Sequence, residues 1–127
     1  MLPLAALPAA VAVRRQQAQR LEQLLRQHGI PTVEVAPRSQ PVYLRYPVLV
    51  NDKPGALAQA RRLRIPLGDW FHSPLHPIAR GWSAWGYAAG SCPVAESVAR
   101  RVVNIALGPQ VLESALAQAV DLVRAYP

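Results

Sequence analysis

The 127-residue chain has one cysteine, Cys92, and one lysine, Lys53. A single cysteine excludes an internal disulfide framework and fits a reducing compartment. Acidic residues are also scarce, seven against fourteen basic ones, giving a formal net charge of +7. No basic run reaches five residues. The arginines fall in short groups, Arg14-Arg15, Arg61-Arg62 with Arg64, and Arg100-Arg101. With no nucleic-acid motif beside them, they read as solvated helix faces rather than a phosphate-binding footprint. No apolar run approaches the roughly 20 residues needed to span a bilayer. Met1 to Val13 is apolar, but no basic residue precedes it and Pro3 and Pro8 interrupt it, so it makes a poor signal peptide. A phosphate-cradling glycine loop, zinc-type spacing and a Ser/His/Asp order are all absent. So are internal repeats and low-complexity tracts. The expectation is a soluble cytoplasmic protein that engages neither nucleic acid nor membrane.

The composition is 51% hydrophobic and 17% charged, which suits a folded globular domain rather than disorder. A chain of this length reads as one domain, 1–127, able to bury about two-thirds of its unfolded surface. Ala9 to His28 has a helical stripe of Ala10, Val11, Ala18, Leu21, Leu24 and Leu25, with Gly29 as its stop. Pro31, Pro37 and Pro41 punctuate a connector. Val42 to Val50 is the clearest strand, and Pro47 within it argues for an edge position. Asn51 to Gly55 is a turn that places Pro54 near the start of a helix ending at Leu63. Ile65 to Gly68 is a brief extended piece. Pro93 to Arg101 is a helix and Val102 to Leu107 a strand. A last helix runs from Gly108-Pro109 to Tyr126, with Leu112, Ala115, Leu116, Ala119, Val120 and Val123 as its buried stripe. The order predicts an α/β fold, a small sheet of three to four strands packed with helices.

Asp69 to Ser91 has little periodicity. It holds all three tryptophans, Trp70, Trp82 and Trp85, with Phe71 and Tyr87. Structureless loops of about 20 residues inside compact domains are usually functional or interface-forming. The aromatics either stack on a base or sugar or fasten the loop to the fold. Arg80 is the nearest fixed cation and a candidate for a phosphate or carboxylate. His72 and His76 bracket Ser73-Pro74-Leu75. They lack a third ligand for a metal, and His72 reads as structural. Cys92 sits where a helix N-terminus lowers thiol pKa, yet it reads better as a small packed residue at a helix start. In Gly90-Ser91-Cys92-Pro93-Val94-Ala95-Glu96, Gly90 frees the loop backbone, Pro93 presets a helical φ and Glu96 complements the helix dipole.

These pieces also form an ordered set. Arg14-Arg15 with Ala18, Tyr46-Pro47-Val48-Leu49-Val50, Leu67-Gly68-Asp69-Trp70, Pro74-Leu75-His76 and Cys92-Pro93-Val94-Ala95-Glu96 follow one another. The set resembles the C-terminal small domain of the DegT/StrS-type sugar aminotransferases, which are fold type I, pyridoxal-phosphate enzymes. Asn104 to Pro109 departs from the Leu-Pro that the family often has after this strand.

The resemblance implies a bridging helix over 1–28 and a small α/β domain over 42–127. It implies nucleotide-linked sugar substrates, a place in polysaccharide biosynthesis, and a cofactor held by a large domain lying before the matched part. That domain supplies the Schiff-base lysine. Lys53 matches no such position and reads as an exposed turn lysine, so no catalytic or cofactor-binding residue is expected here. His76 matches the loop at the mouth of the family's active site; the alternative is a loop histidine bonded to backbone. Trp70 and Arg80 complete the substrate-side candidates. The expected partner is a large domain in cis or trans, or a second copy through Leu2, Leu4, Leu7, Val11 and the tryptophan loop. A module that keeps the fold for partner or ligand binding, without catalysis, is the rival reading.

Overall fold

The computed structural model describes residues 4–127. Helix α1, Leu7–Gln27, buries Ala10, Ala18, Leu21 and Leu25. It ends on Gly29 at φ +68°, where Ile30 N–H reaches back to Leu25 O at 2.9 Å. Glycine meets the left-handed geometry of this stop without strain. Strand β1, Arg45–Leu49, follows the proline-punctuated connector and starts later than the sequence pattern suggests. Helix α2, Lys53–Leu63, is capped by the Asp52 carboxylate, which accepts the Gly55 N–H at 3.0 Å. Strand β2 is two residues, Leu67–Gly68. Helix α3, Pro93–Arg101, runs directly into strand β3, Val102–Ala106. Helix α4 is Glu113–Arg124.

The sheet order is β1-β3-β2, antiparallel throughout. Tyr46 pairs with Ile105 and Val48 with Val103, and all four are buried in the core shared with Leu21 and Leu25 of α1 and Leu116 and Val120 of α4. Fully burying each such leucine or isoleucine stabilises by about 1.5–3 kcal/mol before entropy is counted. The Tyr46 hydroxyl accepts Val33 N–H at 3.0 Å and donates to Glu22 at 3.2 Å, joining connector, strand and α1. Burial pushes its phenol up to about 12.

Pro47 lies where the sequence places it, on an edge strand. Val50 N–H donates to Arg101 O and Leu107 N–H to Leu44 O. In that register Arg45, Pro47 and Leu49 turn their backbone groups away from β3. Proline therefore lacks an N–H only where no ladder bond is made.

Three expectations need correction. Lys53 is 6% exposed, not a solvated turn residue, because helix α2 begins on it. Cys92 is exposed, because α3 buries only Ala99 and leaves Val94 76% exposed. Leu112 is 71% exposed, because Gly108 to Leu112 is a turn and α4 starts only at Glu113.

Candidate functional site

Lys53 sets the position of the aromatic loop. Its ammonium donates to Phe71 O at 3.1 Å and Ala99 O at 2.9 Å, and it pairs with the Asp69 carboxylate at 2.5 Å. Three partners match the three N–H bonds of an ammonium. They also bracket Trp70, whose own N–H donates to the Asn104 side chain at 2.9 Å. Asn104 is a buried polar residue in an otherwise apolar strand, and this bond uses its acceptor. The Arg45 guanidinium sits over the Trp70 ring at 4.9 Å.

His76 completes a ring cluster. Its ring lies 6.3 Å from Trp70 with the planes 29° apart, 5.5 Å from Phe71 and 4.8 Å from His72. His72 Nε2 is 3.1 Å from Pro77 O. His76 Nδ1 is buried and has no hydrogen-bond partner among the described residues. A polar atom so placed carries a desolvation cost of about 1–3 kcal/mol unless water or a ligand meets it. Beside the cluster, Trp70, Phe71, Arg45, Pro47 and Asn104 line a cleft of about 300 Å³.

The loop's aromatics divide into two kinds. Trp82 donates to Ile78 O at 3.1 Å and meets Tyr87 edge-on at 5.7 Å, so these two fasten the loop to itself. Trp70, Phe71 and Trp85 are 43%, 49% and 68% exposed. The short 3-10 turn Trp82–Trp85 is framed by Gly81 and Gly86, both left-handed at φ +69° and +73°. At the loop's end, Glu96 accepts Tyr87 O–H at 2.8 Å and Gly90 N–H at 2.6 Å. The tyrosine and backbone bonds hold its carboxyl below the ordinary value, while desolvation and the Glu96 bond raise Tyr87.

Of the three candidates read from the sequence, Trp70 and His76 are brought together. Arg80 is exposed and lies outside the ring cluster. Sequence reasoning missed Lys53, Asn104 and Arg45. Only Asn104 carried a signal, as a polar residue inside a strand otherwise made of valine, isoleucine and alanine. No group of three potential metal ligands occurs among the described residues, and no helix there is long and apolar enough to cross a membrane.

The sequence model of the DegT/DnrJ/EryC1/StrS aminotransferase family matches residues 2–124. Two solved structures are similar. One is a DegT DnrJ EryC1 StrS aminotransferase from Brucella abortus, 22% identical with a TM-score of 0.76. The match covers 96% of this chain and 32% of that one. The other is DesV from S. venezuelae, solved in complex with a ketimine intermediate, 26% identical with a TM-score of 0.75. There the coverage is 96% of this chain and 33% of that one. The chain thus spans about a third of the length of these relatives. No curated protein matches it significantly.

Proposed function

Because the chain belongs to the DegT/DnrJ/EryC1/StrS aminotransferase family, we propose that it forms the small domain of a pyridoxal-phosphate-dependent nucleotide-sugar aminotransferase. In this reading 1–28 is the bridging helix and 42–127 the small domain. It works in the cytoplasm, in polysaccharide biosynthesis. The observation that carries it is the Trp70–His76 cluster, with rings 6.3 Å apart beside an open cleft and the His76 Nδ1 left unpartnered. Trp70 offers a stacking face to a planar or sugar group, and His76, whose Nδ1 is buried, a hydrogen bond to its polar edge through Nε2. Arg80, on the same loop, supplies a cation for a phosphate.

Pyridoxal phosphate, when bound, supplies the amino-transfer chemistry. The residues of this chain do not fit it. Its attachment needs a lysine amine free to lose a proton. Lys53 is the one lysine, and its ammonium is enclosed by Asp69, Phe71 O and Ala99 O. The lysine and the cofactor site therefore come from a large domain, in cis or trans, and the chain by itself is inactive. Leu4 and Leu7, 85% and 53% exposed, and Trp85 offer the apolar surface for that partner or for a second copy. Leu2 lies outside the described residues.

The test joins or mixes the chain with the lysine-bearing part encoded upstream or in an adjacent gene. Amino transfer to a nucleotide-linked keto sugar is expected only from the combination. Trp70→Ala or His76→Ala should lower it at least tenfold. Transfer by the chain alone, or unchanged rates in both variants, would overturn the reading.

A further inference from the structure

Arg45 and Asn104 meet over Gly68. Along β1, Arg45 alternates with the core residues Tyr46 and Val48, and along β3 Asn104 alternates with Val103 and Ile105. Both side chains therefore leave the sheet on the face turned away from the core. A Cβ at Gly68 would lie 3.0 Å from Arg45 Nη1 and 3.9 Å from Asn104 Cβ, so a side chain there would crowd the guanidinium. Arg45 and Asn104 both line the cleft of about 300 Å³ beside Trp70 and Phe71.

Both side chains carry donors that nothing meets. Asn104 is 2% exposed, and its Oδ1 is fixed as the acceptor of Trp70 N–H. Its Nδ2 is then a donor, and it makes no hydrogen bond among the described residues. Arg45 Nε is buried and equally without an acceptor there. The guanidinium lies over the Trp70 ring at 4.9 Å, a contact that takes up none of its N–H donors. No ion pair among the described residues includes Arg45, and no acidic residue lines the cleft. The carboxylates on adjoining segments are engaged elsewhere, Asp69 by Lys53 and Glu22 by Arg26 and Tyr46. Unmet donors beside an unneutralised cation carry a desolvation cost that the oxygens of an anion would remove.

We propose that Arg45 and Asn104 hold a carboxylate, and that the ligand of this cleft is a sugar acid, a hexuronate. The two oxygens of a carboxylate match a guanidinium N–H and an amide N–H side by side. One guanidinium balances one negative charge, whereas a phosphate monoester carries about 1.5–2. The half-exposed rings of Trp70 and Phe71 give the sugar a flat apolar wall. A free amino acid fits less well, because the lining holds no acid for its ammonium. That the acid is a sugar rests on the aminotransferase reading; that it is a carboxylate rests on Arg45 and Asn104 alone.

Glucuronate, glucose and glutamate are the probes, titrated into the chain without cofactor and followed by NMR. Glucuronate should bind at least tenfold more tightly than glucose and shift the Asn104 side-chain amide and the Trp70 indole N–H. Asn104→Asp keeps the acceptor for Trp70 N–H but turns the free donor into a charged oxygen, and Arg45→Gln removes the cation. Either change should abolish the preference for glucuronate over glucose. Equal binding of the two sugars by the unaltered chain overturns the proposal. So does competition by inorganic phosphate as strong as that by glucuronate, or a set of shifts that leaves Asn104 and Trp70 untouched. Glutamate binding as tightly as glucuronate overturns the sugar acid and assigns the pair to an amino-acid carboxylate. Should a variant fail to fold, the comparisons on the unaltered chain still decide. Amino transfer by the combined enzyme to a neutral keto sugar, with no gain for the acid, would sink this proposal and leave the aminotransferase reading intact. Glucuronate binding in a combination that transfers no amino group would do the opposite.

Discussion

Gln17 and Gly108, ninety-one residues apart, pair as two strands would. Gly108 N–H donates to Gln17 Oε1 at 2.7 Å, and Gln17 Nε2 donates to Gly108 O at 3.1 Å. A further bond runs from Nε2 to Val111 O at 2.9 Å. Gly108 sits at φ +151°, and the amide of a helical side chain ties α1 to the turn between β3 and α4, which the backbone itself closes through Val111 N–H to Gly108 O at 2.9 Å.

Gln17→Ala removes three part-buried bonds and strands the buried Gly108 N–H. The expected loss is about 2 kcal/mol, read as a shift of about 1 M in the urea midpoint. Gln17→Glu keeps an acceptor for Gly108 N–H but points a second carboxylate oxygen at two carbonyls. It should be destabilised at least as much. A glutamate variant as stable as the parent would refute the pairing.

Lys53→Met leaves Asp69, Phe71 O and Ala99 O without their donor. Breaking a fully buried pair costs about 3–5 kcal/mol. The Asp69 side chain is 38% exposed, so the expected loss is smaller, about 2 kcal/mol. Lys53→Arg should not restore it, since a planar fork cannot meet three acceptors around a point. Denaturant unfolding measures both. Adding pyridoxal phosphate and borohydride to the unaltered chain should leave Lys53 unlabelled by mass spectrometry, and rapid labelling would contradict its enclosure.

The long periodic helices and the edge strand were legible because their signals are local. The spacing of Ala18, Leu21 and Leu25 marks α1, and Pro47 marks an edge. Lys53 was not legible, because two of its partners are backbone carbonyls eighteen and forty-six residues away. Its sequence neighbours, Asp52 and Pro54, speak only of a turn. Cys92 was misread for a related reason. A helix start looks packed in sequence, but whether α3 is covered depends on what lies opposite its apolar face, and Val94 and Val98 meet too little of the chain to be buried. At the candidate site, Trp70 and His76 could be named from the loop, but Arg45 and Asn104 arrive from two strands paired by the sheet.

Acid should loosen the aromatic loop through Glu96. Its carboxyl is held below the ordinary value of 4.5 by Tyr87 O–H and Gly90 N–H. A depressed folded pKa means the contribution is complete above the unfolded value and fades as pH falls through the folded one. Tryptophan emission should therefore shift on acidification below about pH 4.5. Glu96→Gln, whose amide oxygen still accepts from Tyr87, should flatten that acid limb. An identical acid transition in the variant would assign it to another carboxylate.

Pro47→Val tests what the proline does at the edge. Residue 47 turns its backbone outward from β3, so the substitution breaks no ladder bond. It adds an N–H between those of Arg45 and Leu49, giving β1 an unbroken row of outward donors and acceptors. Valine also suits a strand better than proline does. Monomer stability should stay within about 0.5 kcal/mol of the parent, while self-association rises with concentration in sedimentation velocity. A variant that unfolds markedly more easily would mean that Pro47 holds the strand's shape, and one that stays monomeric would mean that the edge is protected by something other than its missing N–H.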